Sequence, residues 1–136
     1  MGAIRVATKA VILYKKKALI VQRADNQYAG RHWEFAGGGL EFGETLHDGL
    51  LREVKEETGL DVRVDKLLYV GEWMVSPKTQ IIALTYLCHA DTDKVILSDE
   101  HKAFLWVTLE QMTETVDEAM LNDLISNSVL DMLDID

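Results

Sequence analysis

Residues 38–60, with the sequence GGLEFGETLHDGLLREVKEETGL, constrain the fold of this chain more than any other segment. Between residues 44 and 58 there is no proline, and three apolar residues recur every four positions: Leu46, Leu50 and Val54. Gly59 follows at the place where a helix stop is expected. The spacing therefore predicts an amphipathic helix over residues 44–58 that is preceded by a glycine-rich loop.

The glutamates of this helix are placed unusually for a solvated acidic surface. At about 100° per residue, Glu53 and Glu57 fall within roughly 20° of Leu46, at the edge of the apolar stripe. Glutamates that are crowded three or four positions apart repel one another unless cations lie among them. Because carboxylate oxygens suit Mg²⁺ or Mn²⁺, we expect Glu53, Glu56 and Glu57 to bind a divalent metal ion.

An exposed, salt-bridged helix face, with Arg52 and Lys55 as partners, is the ordinary alternative for such a run of charges. The glycine loop argues against it. Residues 37–39 are all glycine and allow backbone conformations in which a main-chain carbonyl can be turned toward a metal. Gly49 lies on the same arc as the glutamates, and we expect the space left by its missing side chain to accommodate ions.

The order of these residues resembles the signature of the Nudix hydrolases, G-x5-E-x7-R-E-U-x-E-E-x-G-U with U apolar, at every defined position. Segments elsewhere between residues 5 and 112 look like the framework of small Nudix proteins. Two departures are Ala36, where the family commonly has proline, and Gly49, where alanine is common. The resemblance implies an α/β fold, the Nudix-type α/β/α sandwich with a mixed β-sheet between helices.

The resemblance also implies roles for single residues. Gly38 would offer a main-chain carbonyl to the metal, with Glu53, Glu56 and Glu57 as ligands. Glu44 and Arg52 would form a structural brace between the loop and the helix. The implied reaction is metal-dependent cleavage of a phosphoanhydride bond in a nucleoside triphosphate or in a nucleoside diphosphate linked to another moiety, with Mg²⁺ or Mn²⁺ as the cofactor.

Four further site residues lie outside this segment. Catalysis needs a base that activates water, and Glu53, Glu56, Glu57 and Glu100 are the candidates, Glu100 because a loop residue can approach the water from another side. His101 follows it and is expected to be structural or exposed rather than catalytic. On the substrate side, Arg23 suits bidentate phosphate binding, and Tyr28 and Trp33 could stack on a base, although aromatic residues on strands usually belong to the core.

Length and charge agree with a small enzyme. The chain has 136 residues, which suits a single domain over 1–136, and a net charge of −9. That charge argues against binding to nucleic acid polymers or anionic membranes, so the expected partner is a small nucleotide. The lone Cys88 is expected in a strand core, and the N-terminal segment resembles neither a signal peptide nor a membrane span. We therefore expect a cytoplasmic protein.

Apolar and β-branched runs predict strands over residues 6–13, 18–23, 33–36, 62–75, 80–90 and 104–107. A short strand over 95–97, a helix that begins at Thr108 and a helix over about 117–133 are also expected. The C-terminal helix could pack on its own sheet or on a partner subunit, so a homodimer remains open.

Two other functions stay as alternatives to hydrolysis. One is a catalytically silent Nudix-fold domain that senses a ligand or binds a partner, which would be expected to lack a glutamate of the metal set. The other is an isomerase of isoprenoid diphosphates. The sequence does not specify the nucleotide, the general base or the oligomeric state.

Overall fold

The computed structural model of the protein describes residues 1–24 and 32–136. The strands are β1 (Ala3–Tyr14), β2 (Lys17–Arg23), β3 (Trp33–Glu34), β4 (Ala36–Gly39), β5 (Val62–Ser76), β6 (Thr79–Ala90) and β7 (His101–Val107). The helices are α1 (Leu46–Thr58), α2 (Leu109–Thr115) and α3 (Glu118–Ser126), with a short 3₁₀ helix at Leu130–Met132. In this part of the chain, no helix is long and apolar enough to cross a membrane.

The seven strands form one mixed sheet. Its path runs β3-β2-β1-β6-β5, with β4 paired to β1 and β7 paired to β2. The β1–β6 pair is parallel over the length of β1 from Ala3 to Leu13, and the other pairs are antiparallel. A two-residue hairpin joins β1 to β2, with Lys15 and Lys16 at positive φ, the geometry that matches the twist of paired strands.

Helices cover both faces of the sheet, as the predicted sandwich requires. Along β1, Ile12 packs into the core beneath α1, while Val11 packs into the core beneath α2 and α3. This alternation follows from the two-residue period of a strand. Leu50 from α1 and Leu124 from α3 are both fully buried in these two cores. The C-terminal helix therefore packs on its own sheet.

Helix α1 begins and ends as its sequence predicts. Thr45 caps the N-terminus and its side chain accepts a hydrogen bond from the Asp48 N–H at 3.1 Å. Gly59 follows the last turn with φ of 74°, in the left-handed conformation that glycine adopts at little cost.

Three predicted elements differ from the structure. Residues 95–97 form no strand, because their main chain is bonded to the end of α1 instead. The C-terminal helix ends at Ser126, and Ser128 has a positive φ of 56°, which interrupts the helix before the 3₁₀ segment. The strand expected over 33–36 is divided: β3 pairs with β2, while Ala36 begins β4, which pairs with β1 and includes the glycines 37–39 expected to form a loop.

Candidate active site

Glu57 is the buried centre of the acidic cluster. It lies in the last turn of α1 with 3% of its surface exposed. Its Oε1 accepts a hydrogen bond from the main-chain N–H of Gly37 at 3.0 Å. Gly37 has φ of 144°, and a Cβ at this position would lie 2.0 Å from the Thr8 carbonyl oxygen. Only glycine therefore lets β4 approach β1 closely enough to present this N–H to Glu57.

The surroundings of Glu57 hold its pKa above the usual glutamate range. Burial is the main cause, and the neighbouring carboxylate of Glu100 adds to it. The Gly37 N–H and the positive charge of Lys9 act in the opposite direction without cancelling the rise. A carboxyl group with these neighbours is suited to carry a proton, and to release it to water when a cation binds nearby.

The loop before β7 brings Glu100 to this point. Its main chain is bonded to the end of α1: the Ile96 N–H donates to the Thr58 carbonyl at 2.9 Å, and the Ser98 N–H donates to the Glu57 carbonyl at 3.2 Å. The Ala24 N–H in turn donates to the Glu100 carbonyl at 2.9 Å. Two carboxylates that are far apart in the chain, Glu57 and Glu100, therefore lie close together.

Glu57, Glu100 and His101 form a group that could hold a metal ion. One ligand atom from each lies within 4.8 Å of the others. Glu57 and His101 are buried, whereas Glu100 is exposed. Two adjacent carboxylates repel when both are ionised, and a divalent cation between them would remove that repulsion.

Glu53 faces the same region from the preceding turn of α1. Its side chain is 16% exposed, and its pKa is raised by burial and by the charges of Glu56 and Glu100, against the effect of Arg52. A Cβ at Gly38 would lie 2.7 Å from the carboxyl carbon of Glu53. Gly38 thus provides the space that the Glu53 carboxylate occupies.

Gly49 has a different role from the predicted one. A Cβ there would meet Leu40 Cδ1 at 2.6 Å and Glu44 Oε1 at 3.2 Å. The space at Gly49 is filled by these side chains of the glycine loop, so it is not open to ions. The glycine permits close packing of the loop against α1.

Arg52 connects the loop to the helix. Its Nε donates to Glu44 Oε2 at 2.7 Å and its Nη2 donates to Glu44 Oε1 at 2.8 Å, a two-pronged pair. Nη2 also donates to the Gly39 carbonyl at 3.1 Å, and Nη1 donates to Glu53 Oε1 at 3.1 Å. The hydrogen bond from Arg52 lowers the pKa of Glu44 to about 2, and the same contact raises the pKa of Arg52.

Glu56 lies at the edge of the cluster. Its side chain is 58% exposed, and its Oε2 is 3.4 Å from Arg52 Nη1. Of the three glutamates expected to bind metal, Glu57 is buried, Glu53 is half-buried and Glu56 faces solvent.

A second charged network lies beside Glu57. Glu34 Oε1 pairs with Lys9 Nζ at 3.4 Å, and its Oε2 lies 3.3 Å from Arg23 Nη1 and 2.8 Å from His101 Nε2. Burial opposes ionisation of Glu34, but the hydrogen bond from His101 and the charges of Lys9 and Arg23 outweigh it and lower its pKa to about 2.

Sequence reasoning missed Lys9 and Glu34. The available signal was a lysine inside the apolar strand segment 6–13 and a glutamate between Trp33 and Phe35. Charged residues inside otherwise apolar strands are seldom buried unless they are paired.

Of the two aromatic residues expected to stack on a base, only Trp33 lies in the described part of the chain. Trp33 is half-buried and packs against the core beneath α2 and α3, the arrangement usual for an aromatic residue on a strand. Tyr28 lies outside the described residues. Arg23, at the end of β2, is 37% exposed on its side chain and joins the Glu34 network.

The donor set fits a divalent cation. Glu57 and Glu100 supply carboxylate oxygens to one group, and the Glu53 carboxylate lies against Gly38 in the space that a Cβ would otherwise fill. Hard oxygen donors of this kind suit Mg²⁺ and Mn²⁺.

Comparison with known proteins gives consistent matches. The family model described as the NUDIX domain matches residues 3–125. A MutT-like protein of Streptomyces ambofaciens is 36% identical over 102 residues, which are 75% of this chain and 62% of that protein. The chain thus spans less than two thirds of that relative. A CTP pyrophosphohydrolase of Escherichia coli (strain K12) is 33% identical over 107 residues, covering 75% of this chain and 74% of that protein.

The fold of this chain also matches the folds of solved structures of other proteins. The crystal structure of a MutT protein from Methanosarcina mazei Go1 matches with a TM-score of 0.80 at 26% identity, over 96% of this chain and 95% of that chain. The α/β/α arrangement with a mixed sheet is therefore confirmed.

Proposed function

Because this chain belongs to the Nudix domain family, we propose that it is a metal-dependent pyrophosphohydrolase. Its substrate would be a nucleoside triphosphate or a nucleoside diphosphate linked to another moiety, cleaved at a phosphoanhydride bond. The observation that supports this most directly is the meeting of the α1 carboxylates with Glu100 beside the glycine loop. The chain also retains all three glutamates of the metal set, whereas a silent binding domain would be expected to lack one of them, and no observation favours that alternative.

The proposed ligands of the metal are the Gly38 carbonyl and the carboxylates of Glu53, Glu56 and Glu57, with Mg²⁺ or Mn²⁺ as the ion. When bound, such an ion would withdraw charge from the phosphate and make an adjacent water more acidic. Glu56 is exposed on this surface and would have to turn toward the ion.

Glu57 and Glu100 are the proposed proton acceptors. They approach one point from α1 and from the loop before β7, so either could accept a proton from an attacking water. Glu53 is held by Arg52 at 3.1 Å, which leaves it less available for proton transfer. Arg52 and Glu44 are proposed to fix the glycine loop without touching the substrate.

The proposed substrate contacts come from one positive group, Arg23, and from two aromatic side chains. Arg23 lies at the end of β2, where its guanidinium could bind phosphate oxygens. Tyr28 and Trp33 remain the proposed base-stacking residues, with the packing of Trp33 favouring a role in the core. Since the net charge is −9, the phosphate groups of the substrate would be bound locally, by Arg23 together with the metal.

A substrate panel tests this function. Purified protein would be incubated with Mg²⁺ and a set of nucleoside triphosphates and nucleoside diphosphate sugars, and the phosphate products would be resolved by chromatography. CTP belongs in the panel because one relative is named for it. Hydrolysis is expected with Mg²⁺ and no hydrolysis in excess chelator. Full turnover in chelator would contradict metal dependence, and no turnover on any substrate would favour the binding domain.

We also propose that the protein is cytoplasmic and that it binds neither nucleic acid polymers nor membranes. A homodimer stays a proposal, which sedimentation at several protein concentrations would test.

A further inference from the structure

His101 is buried at the active site, and the mechanism above gives it no role. It begins β7, directly after Glu100, and its side chain is 1% exposed. Its ring has two nitrogen atoms with different surroundings. Nε2 lies 2.8 Å from Glu34 Oε2, whereas Nδ1 is buried and has no hydrogen-bond partner in the described part of the chain.

The contact with Glu34 determines which nitrogen carries the proton. Glu34 also pairs with Lys9 and Arg23, so its carboxylate is ionised and can only accept hydrogen bonds. Nε2 must therefore donate. In the neutral ring, Nδ1 is then left with a free lone pair.

That lone pair belongs to a side chain grouped with two carboxylates. A ring nitrogen of His101 and one oxygen each of Glu57 and Glu100 lie within 4.8 Å of one another. Metal-binding histidines typically donate their other ring N–H to a carboxylate, which fixes the tautomer and the ring orientation. Glu34 supplies that second contact here.

We propose that Nδ1 of His101 is a ligand of a divalent ion that is also bound by Glu57 and Glu100, with Glu34 as the residue that positions the ring. The proposal rests on the proposed function, because it concerns the same metal-binding region. It adds a nitrogen donor to a set that otherwise contains only oxygen.

A nitrogen ligand has consequences for metal preference. Imidazole is most typical of metals such as zinc, iron and nickel, and Mn²⁺, although it takes mainly oxygen donors, accepts a nitrogen ligand more readily than Mg²⁺ does. Loss of the imidazole is therefore expected to weaken Mn²⁺ binding more than Mg²⁺ binding.

Two substitutions separate the two ring nitrogens. In His101→Gln the side-chain amide can still donate to Glu34 from a position close to Nε2, but nothing replaces Nδ1. In His101→Asn the amide lies close to Nδ1 and the contact with Glu34 is lost. His89→Gln is the matched control, because His89 pairs with Asp65 between β6 and β5, and neither residue belongs to the group formed by Glu57, Glu100 and His101.

The experiment is pulsed electron paramagnetic resonance of Mn²⁺ bound to the full chain without nucleotide. The wild type and His89→Gln are expected to show nitrogen coupling of the imidazole type, which changes when the protein is labelled with ¹⁵N-histidine. His101→Gln is expected to lose the coupling, and its Kd for Mn²⁺ should rise at least about tenfold, with a smaller rise for Mg²⁺. His101→Asn should lose the coupling as well, and it carries the test if His101→Gln does not fold.

No imidazole coupling in the wild type, or unchanged coupling in the folded His101 variants, would overturn the proposal. The same preparations are assayed for nucleotide hydrolysis with Mg²⁺ alone. Hydrolysis without nitrogen coupling leaves the proposed function standing and refutes the ligand role of His101. Nitrogen coupling without hydrolysis of any nucleotide would support the ligand role of His101 and contradict the proposed function.

Discussion

The carboxylate of Glu57 accepts a hydrogen bond from the main-chain N–H of Gly37 across 3.0 Å. This contact joins the last turn of α1 to β4. Gly37 lies so close to Thr8 that no Cβ could be accommodated, so the contact requires glycine at this position. The contact places a buried carboxylate, the adjacent carboxylate of Glu100 and the glycine loop around one point.

Replacing Glu57 by glutamine should lower turnover at least about a hundredfold, the size expected when a general base or an electrostatic group is lost. The variant should fold, because the amide can still accept from the Gly37 N–H. Glu72→Gln is the control, since Glu72 is exposed on β5 and pairs with Gln80. Steady-state assays with Mg²⁺ measure both variants, and a near-wild-type rate for Glu57→Gln would remove Glu57 from the site.

The difference in metal-free stability between wild type and Glu57→Gln should depend on pH. The folded pKa of Glu57 is raised above the ordinary value of 4.5, so the folded state retains a proton that the unfolded state has already lost. The stability that this proton provides is complete below pH 4.5 and is lost as pH rises toward the folded pKa. Wild type should therefore lose stability relative to Glu57→Gln across that window. Chemical denaturation in chelator at several pH values measures the difference, and a constant difference would contradict the raised pKa.

Arg52→Lys should weaken metal binding together with turnover. Lysine keeps the charge but cannot make the two-pronged pair with Glu44 while also reaching the Gly39 carbonyl. Lys55→Arg is the control, because Lys55 is exposed and pairs with Asp61. Mn²⁺ would be titrated into each protein without nucleotide. Identical metal affinity in wild type and Arg52→Lys would place Arg52 on the substrate side, where KM would rise instead.

Gly38→Ala should displace the Glu53 carboxylate, because the new Cβ would lie 2.7 Å from its carboxyl carbon. The far end of a glutamate can move, so the fold should persist while Mn²⁺ affinity and turnover fall at least about tenfold. Gly39→Ala is a close control, since a Cβ there meets nothing within 4 Å. Equal effects of the two substitutions on metal affinity would show that the crowding of Glu53 does not matter.

Much of α1 could be predicted from local sequence. The four-residue recurrence of Leu46, Leu50 and Val54 specifies the helix and places Glu53 and Glu57 toward the protein body, because a helix has a fixed rotation per residue. Gly59 ends the helix through its own backbone preference. These features depend on neighbours within a few positions, which sequence patterns report well.

The rest of the site was decided by tertiary structure. Glu100 meets Glu57 because the loop before β7 bonds to the end of α1, which also prevents residues 95–97 from forming the predicted strand. Lys9 and His101 converge on Glu34 from strands far apart in the chain, so no local spacing could reveal their network. Strand pairing and register bring such residues together, and a sequence pattern read within one element carries no information about its partners. The sequence by itself determined the helix and its acidic face, whereas the fold alone decided which other charged residues surround it.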